Sequence, residues 1–283
     1  MTIAYGMQLP IQAQSSVFVE DWEKSAGARE LAAVAEACDR AGFAYIAVCD
    51  HVAIPRARAD AMSTTWYDTV ATLGWLAALT ERVRLLSHVY VAAYRHPLQT
   101  AKAFATLDAL SEGRVILGVG AGHVEEEFDA LGISFADRGK LTDKAIDEIR
   151  AAFADEWSAG DLGQRPRPVQ PGGPPIWIGG SSPVAIRRAA LRGDGWLPQG
   201  PPREGMPSAI KRIHELRAAA NRADKPFTIG AFAPPGAPED VAPWLAKFEQ
   251  MGVDQVQVRF PSLSWSDLCA QVRRFGALVT QPG

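Results

Sequence analysis

The chain has 283 residues, of which 47% are hydrophobic and 22% are charged, and it carries a formal net charge of −3 at pH 7. These proportions are typical of a soluble globular protein with a sizeable core, and the length allows one large domain or two modest ones. The weakly acidic balance gives no electrostatic basis for binding nucleic acid or an anionic membrane.

The cysteines and the first residues indicate the compartment. Cys38, Cys49 and Cys269 are odd in number and scattered, which is typical of a reducing compartment without a disulfide framework. The chain enters a strand-like segment at Ile3 and lacks a basic-then-apolar signal pattern. Its most apolar helix candidate, residues 71–79, is too short to span a bilayer. We therefore expect a cytoplasmic protein.

Strand and helix signals alternate through the first half of the chain. A predicted helix places Leu31, Val34, Ala35 and Cys38 at the i, i+3, i+4, i+7 spacing of one buried stripe. Pro97 is suited to the first turn of another helix. The predicted order is strand 3–9, the striped helix, strand 45–49, polar loop 50–66, helix 67–80, strand 83–91 and the helix opened by Pro97.

The segment 113–128, GRVILGVGAGHVEEEF, predicts a strand, a glycine turn and a helix. The apolar run 114–119 suits a strand buried on both faces, and the acidic run 125–127 suits the first turn of a helix. A dinucleotide fingerprint would need glycine where His123 stands, so the spacing is G-x-G-x-G. We interpret it as a cofactor-facing turn of another kind.

The alternation continues to the carboxyl terminus. The Gly- and Pro-rich segment 160–175 predicts a long loop, and such loops are usually functional or mobile. The predicted elements are helix 138–159, strand 176–178, helix 183–191, strand 195–197, loop 198–205, helix 207–222, strand 228–232, a helix around 241–251, strand 255–259 and helix 265–279.

Eight strands, each followed by a helix and without a linker-like break, predict a (β/α)8 TIM barrel as one α/β domain over residues 1–283. A doubly wound sheet is the alternative, but its glycine fingerprint would normally follow the first strand. In such a barrel the chemistry lies at the carboxyl ends of the strands. The long loops predicted after the second, fourth and sixth strands lie on the same carboxyl-terminal face of the barrel.

Several stretches resemble the luciferase-like family of barrel oxidoreductases, particularly its short subgroup that uses the deazaflavin coenzyme F420. The matching stretches follow the family's order along the chain: VCDHV at 48–52, then 94–122, 126–146, 167–190, and GDGWLP at 193–198. Each piece is weak alone, whereas the composite is specific.

The resemblance implies where the coenzyme binds. In this family the third strand ends in a bulge against the coenzyme ring, often with a non-proline cis peptide, and the corresponding step is Ser87–His88. The turn before the helix opened by Pro183 matches the family's phosphate-binding turn, and helix starts bind anions. The predicted coenzyme contacts are Ser87, His88, Tyr90, Gly120, Ala121, Gly122, Gly179, Gly180, Ser181 and Ser182.

The resemblance also implies three catalytic candidates. Asp50 and His51 match a pair placed near the reacting edge of the coenzyme, where Asp50 would orient the His51 ring. The alternative is a hydrogen-bonded pair that only closes the strand. His123 stands where the family's sugar-phosphate dehydrogenase has a catalytic glutamate, which argues against that reaction. Alternatively, His123 only covers the glycine turn.

The expected function is hydride transfer between coenzyme F420 and a small organic substrate. The alternatives are an FMN-dependent monooxygenase and a non-catalytic flavin-binding barrel. No pair of histidines has a metal-binding spacing, so no metal site is predicted. The resemblance implies a homodimer, and neither a nucleic acid nor a membrane is an expected partner.

Overall fold

The computed structural model describes residues 3–199 and 203–280. Both ends of the predicted domain and residues 200–202 of the predicted loop 198–205 lie outside the described residues. Within them the strands are β1 (Ala4–Gln8), β2 (Tyr45–Val48), β3 (Arg84–Ser87), β4 (Tyr90–Val91), β5 (Val115–Gly120), β6 (Ile176–Gly179), β7 (Gly195–Leu197), β8 (Thr228–Phe232) and β9 (Gln255–Gln257).

The strands close into a parallel barrel. Their order is β3-β2-β1-β9-β8-β7-β6-β5-β4, and a pairing between β3 and β5 completes the ring. β3 and β4 are two pieces of the predicted strand 83–91, because both run beside β5. Eight strand positions therefore surround the axis, and the predicted (β/α)8 barrel is confirmed.

Helices surround the strands on the outside. They are α1 (Ala28–Arg40), α2 (Ala59–Met62), α3 (Thr69–Leu79), α4 (Pro97–Leu110), α5 (Glu125–Ala130), α6 (Arg138–Ala154), α7 (Pro183–Arg192), α8 (Met206–Ala219), α9 (Pro238–Gln250) and α10 (Trp265–Thr280). The predicted stripe of α1 is buried as expected. No helix in the described part of the chain has the length and apolarity needed to cross a membrane.

Helix α6 ends five residues before the predicted end at residue 159. Asp155 leaves the helical conformation, and its side chain accepts a hydrogen bond from the Trp157 amide at 3.0 Å. Such a local bond offers the backbone an alternative to the helical ladder. The side chain of Asp155 thus accounts for the early end.

The barrel interior is filled by pairing large side chains with glycines. A Cβ added at Gly6 would lie 2.4 Å from the Tyr45 ring, and one at Gly195 would lie 2.5 Å from the Trp177 ring. These two rings meet edge-on, with centroids 6.1 Å apart. The filled interior confines a ligand to the carboxyl end of the strands. The inner cluster comprises Tyr45, Ala47, Leu86, Ile116, Trp177 and Leu197.

Candidate active site

The third strand position carries a bulge at the mouth of the barrel. Leu86 pairs with Ile116 and Tyr90 with Val119, so one extra residue stands in the β3–β4 segment. The peptide between His88 and Val89 is cis. The bulge is the one that the resemblance implied, whereas the cis step lies one residue later than the predicted Ser87–His88.

The bulge turns the Val89 side chain into the barrel. A Cβ at Gly120 would lie 2.4 Å from Val89 Cγ2, and one at Gly179 would lie 2.6 Å from Val89 Cγ1. Val89 also packs against the inner cluster. Its side chain therefore forms the floor of the mouth, between two strands that each have a glycine there.

The glycines of the G-x-G-x-G turn meet the chain's own atoms. A Cβ at Gly118 would lie 2.0 Å from the Ser87 carbonyl oxygen. Gly122 has a φ of +76°, and a Cβ there would lie 2.8 Å from the Phe128 ring. Since Gly120 accommodates Val89, internal packing accounts for all three glycines. The roles of Gly120, Ala121 and Gly122 as coenzyme contacts stay predictions.

Two predicted contacts have side chains engaged inside the protein. Ser87 is fully buried, and its hydroxyl bonds both the amide and the carbonyl of Gly118 at 3.0 Å. Tyr90 is buried against Phe104, and the guanidinium of Arg95 lies 4.4 Å from its ring centroid. Neither side chain is therefore free to contact a ligand.

His88 stands beside the floor with one nitrogen unpaired. Its ring stacks on Phe232, with centroids 5.5 Å apart, at the carboxyl end of β8. Its Nδ1 atom is buried and has no hydrogen-bond partner among the described residues. Burial lowers the pKa of His88 to about 4, so the ring is neutral at pH 7. A ligand group at the mouth can satisfy this nitrogen.

Asp50 faces away from His51. Its carboxylate accepts two hydrogen bonds from Arg95, at 2.6 and 2.8 Å, and one from the Val91 amide at 2.8 Å. The side chain is 1% exposed. Asp50 therefore ties β2 to the bulged segment, and the prediction that it orients the His51 ring is wrong.

The carboxylate beside His51 belongs to Glu127. Glu127 Oε2 lies 2.7 Å from His51 Nδ1, and Glu127 Oε1 accepts the amides of Val52 and Ala53 at 2.7 and 3.1 Å. Burial opposes the ionisation of Glu127, but the hydrogen bond and the charge of His51, followed by the two amides, hold its pKa below the usual value. Glu127 is therefore a carboxylate at pH 7.

Sequence reasoning assigned Glu127 to the acidic start of a helix and missed this contact. The available signal was its place between Val124 and Phe128, since these three residues share the inner face of α5. Both apolar residues are fully buried, and Glu127 is 2% exposed. An acidic residue on an apolar helix face is the pattern that indicates a buried partner.

His123 and Trp66 complete the cluster around His51. The His51 and His123 rings meet edge-on with centroids 5.6 Å apart. The Trp66 ring belongs to the same segment between β2 and α3 as His51, and its centroid lies 4.3 Å from that of His51. Partial burial, and then the charge of His51, lower the pKa of His123. The two predicted histidines thus lie together, whereas Trp66 was not predicted as a site residue.

The predicted phosphate-binding turn connects β6 to α7. Gly180 has a φ of +113°, and its amide donates to the Leu197 carbonyl at 3.0 Å. The Ser181 hydroxyl bonds the backbone of Gln199, and the Ser182 hydroxyl caps α7 by accepting the Ala185 amide at 3.2 Å. Both hydroxyls have partners, Pro183 has no amide hydrogen, and the Ala185 and Ile186 amides donate to Ser182. The Val184 amide is therefore the first-turn donor of α7 for which the described residues offer no partner, and it suits an anion.

The described residues include no group of three or more His, Cys, Asp and Glu side chains that can hold a metal ion. The polar groups described at the mouth are instead His51, His88 and His123, the Glu127 carboxylate and backbone amides. Such a set suits an organic ligand with an anionic group.

Comparisons with known proteins connect this geometry to a family. The family model described as luciferase-like monooxygenase matches residues 7–250. An uncharacterised protein of Mycobacterium tuberculosis is 29% identical over 267 residues, which cover 87% of this chain and 92% of that protein.

Two further matches are to F420-dependent enzymes. The F420-dependent glucose-6-phosphate dehydrogenase of Beutenbergia cavernae is 36% identical over 184 residues, covering 60% of this chain and 52% of that enzyme. The structure of the coenzyme F420-dependent tetrahydromethanopterin reductase of Methanopyrus kandleri superposes with a TM-score of 0.74 at 17% identity, covering 98% of each chain. The chain belongs to the luciferase-like monooxygenase family, and F420-dependent oxidoreductases are among its relatives.

Proposed function

We propose that the protein is an F420-dependent oxidoreductase, which transfers a hydride between the deazaflavin and a small organic substrate. The observation that carries the proposal is the position of the His51–Glu127 pair beside the bulged strand. It places a group that can exchange a proton at the mouth of a barrel with F420-dependent relatives.

The residues at the mouth suit a flat ring with an anionic tail. Val89 supplies an apolar floor, and the unpaired Nδ1 of His88 supplies a hydrogen-bonding group beside it. The turn from Gly179 to Ser182 and the Val184 amide at the start of α7 suit the phosphate. When bound, the deazaflavin supplies hydride chemistry, because carbon replaces the reactive nitrogen of a flavin.

We assign proton transfer to and from the substrate to His51. Transfer of a hydride to a carbonyl-like substrate leaves an anion that needs a proton, and the reverse reaction needs a base. His51 has one nitrogen against Glu127, and its side chain is 10% exposed. General acid–base assistance of this kind contributes about 10²–10⁴-fold to a rate.

The identity of residue 123 argues against a sugar phosphate as the substrate. The resemblance places a glutamate there in the sugar-phosphate dehydrogenase of the family, whereas this chain has an exposed imidazole of lowered pKa. A neutral imidazole lacks the negative charge of that glutamate and offers one donor and one acceptor nitrogen instead. We therefore propose a small organic substrate other than a sugar phosphate.

Coenzyme binding tests the proposal. Isothermal calorimetry with F420 and with FMN should give tighter binding of F420. Tighter binding of FMN, or FMN that copurifies in stoichiometric amount, would favour the monooxygenase alternative. Binding of F420 without reduction or oxidation by any small organic substrate would favour the non-catalytic barrel.

We also propose a homodimer. The outer side of α3 exposes Trp75 and Leu79, whose exposed fractions are 38% and 36%. Apolar side chains on the outside of an otherwise apolar helix favour contact with a second copy. Sedimentation velocity at micromolar concentration tests this, and a monomer would contradict it.

A further inference from the structure

Glu127 collects four hydrogen-bond donors from two parts of the chain. His51 Nδ1 and the Tyr94 hydroxyl lie 2.7 and 3.2 Å from Oε2. The Val52 and Ala53 amides donate to Oε1. Its side chain is 1% exposed. A buried carboxylate with four donors has its oxygens saturated, so it does not itself serve as the group that reacts with substrate.

The charge state of Glu127 determines which His51 nitrogen carries a proton. An ionised carboxylate only accepts hydrogen bonds, so the 2.7 Å contact requires a proton on Nδ1. Tyr94 cannot reverse this, because burial and the charge of Glu127 raise the pKa of its hydroxyl and keep it a donor. In the neutral ring, Nε2 is then the unprotonated nitrogen.

The same carboxylate also fixes the position of the His51 backbone. The two amides that it binds belong to the residues directly after His51, in the loop between β2 and α2. Ring and backbone are therefore held by one group on α5. The loop that carries His51 can therefore move away from α5 only if its hydrogen bonds to Glu127 break.

We propose that Glu127 is a positioning residue that sets the tautomer of His51 and so makes Nε2 the atom that exchanges a proton with the substrate. The proposal rests on the proposed function for its substrate, but the tautomer can be read without turnover. Asp50, the acidic neighbour of His51 in the sequence, has a different task.

Glu127→Gln is the sharpest perturbation. The Gln carbonyl would remain with the amides of Val52 and Ala53, because its NH2 group would repel two donors there. The NH2 group would then face His51 Nδ1 and donate to it, which reverses the tautomer. Glu126→Gln is the matched control, since Glu126 is the adjacent residue and makes only a surface ion pair with Arg58.

Nitrogen-15 NMR of labelled histidines reads the tautomer in the full chain. The chain has five histidines, so His51→Asn assigns the signal. We expect a protonated Nδ1 in the neutral wild type and in Glu126→Gln, and a protonated Nε2 in Glu127→Gln. A protonated Nε2 in the neutral wild type would overturn the proposal, and this measurement needs no variant of Glu127 to fold.

Turnover then tests the consequence. With F420 and an accepted substrate, kcat of Glu127→Gln should fall about 10²–10⁴-fold, the range of general acid–base assistance, with little change in KM. A reversed tautomer with unchanged kcat would overturn the role of Nε2. Inactivity of the wild type toward every substrate, with Nδ1 protonated, would overturn the proposed function while supporting the tautomer assignment.

Discussion

The floor of the mouth allows a direct test of why the turn is rich in glycine. Gly120→Ala would place a Cβ 2.4 Å from Val89 Cγ2. Val89 cannot turn away freely, because Cγ1 faces Gly179 and a β-branched side chain has few rotamers. Overpacking of this kind costs about 1–3 kcal/mol. Val89→Ala alone removes two methyl groups from a partly buried site and should cost about 1 kcal/mol.

The double variant Gly120→Ala, Val89→Ala distinguishes overpacking against Val89 from a general preference of this turn for glycine. Without its methyl groups, residue 89 offers only its Cβ, 3.3 Å from the new methyl, so Gly120→Ala should then cost little. The free energy of unfolding in urea should show a coupling of about 1–3 kcal/mol between the two substitutions. Gly74→Ala in α3 is the matched control, because a Cβ there has no neighbour within 4 Å. Additivity of Gly120→Ala and Val89→Ala within about 0.5 kcal/mol would refute the reasoning.

Four further predictions use the same site. His51→Asn should lower the rate of single-turnover hydride transfer about 10²–10⁴-fold and leave F420 binding unchanged, whereas His123→Asn should mainly weaken substrate binding. Loss of hydride transfer in His123→Asn but not in His51→Asn would exchange the roles of the two residues. Val184→Glu should weaken F420 binding about 5–30-fold in calorimetry relative to Val184→Gln, because the new negative charge lies in the first turn of α7. Equal affinities of the two variants would show that the phosphate binds elsewhere. The pKa of His88, about 4, lies below that of a histidine in the unfolded chain, so the unfolded state gains a proton first as the pH falls. The free energy of unfolding should therefore drop by about 2 kcal/mol between pH 6.5 and 5. In urea titrations, His88→Leu should abolish this drop. Asp50→Asn leaves Arg95 without its buried counter-charge and should cost about 3–5 kcal/mol in urea unfolding, whereas a cost below about 1 kcal/mol would contradict the structural role of the pair.

The architecture was predictable because its signals are local and repeated. The spacing of Leu31, Val34 and Cys38 predicted the buried face of α1, and the predicted strand 228–232 has the observed bounds of β8. The break between Ser87 and Tyr90 followed only from the resemblance, since neither Gly nor Pro marks it in the residues themselves. That break depends on room inside the barrel, which the distant Gly120 and Gly179 provide.

The candidate site was predictable only in part. His51 and His123 were identified by motif, and the structure brings their rings together. Their carboxylate partner was misassigned because Asp50 is adjacent in sequence, whereas Glu127 is 76 residues away. Since both residues lie past the end of β2 at Val48, adjacency in sequence did not determine which carboxylate meets the His51 ring.

The environments of the two histidines differ in a way that favours distinct roles. Two imidazoles whose centroids lie 5.6 Å apart disfavour each other's charged form, and His51 is a cause of the lowered pKa of His123. The carboxylate of Glu127 contacts His51 directly, and its charge acts on His123 only as a weaker, opposing influence. The carboxylate therefore serves the His51 ring, and the lowered pKa keeps His123 neutral at pH 7. A neutral, exposed imidazole is suited to hydrogen bonding with a substrate, and the ring next to Glu127 is suited to giving and taking the proton.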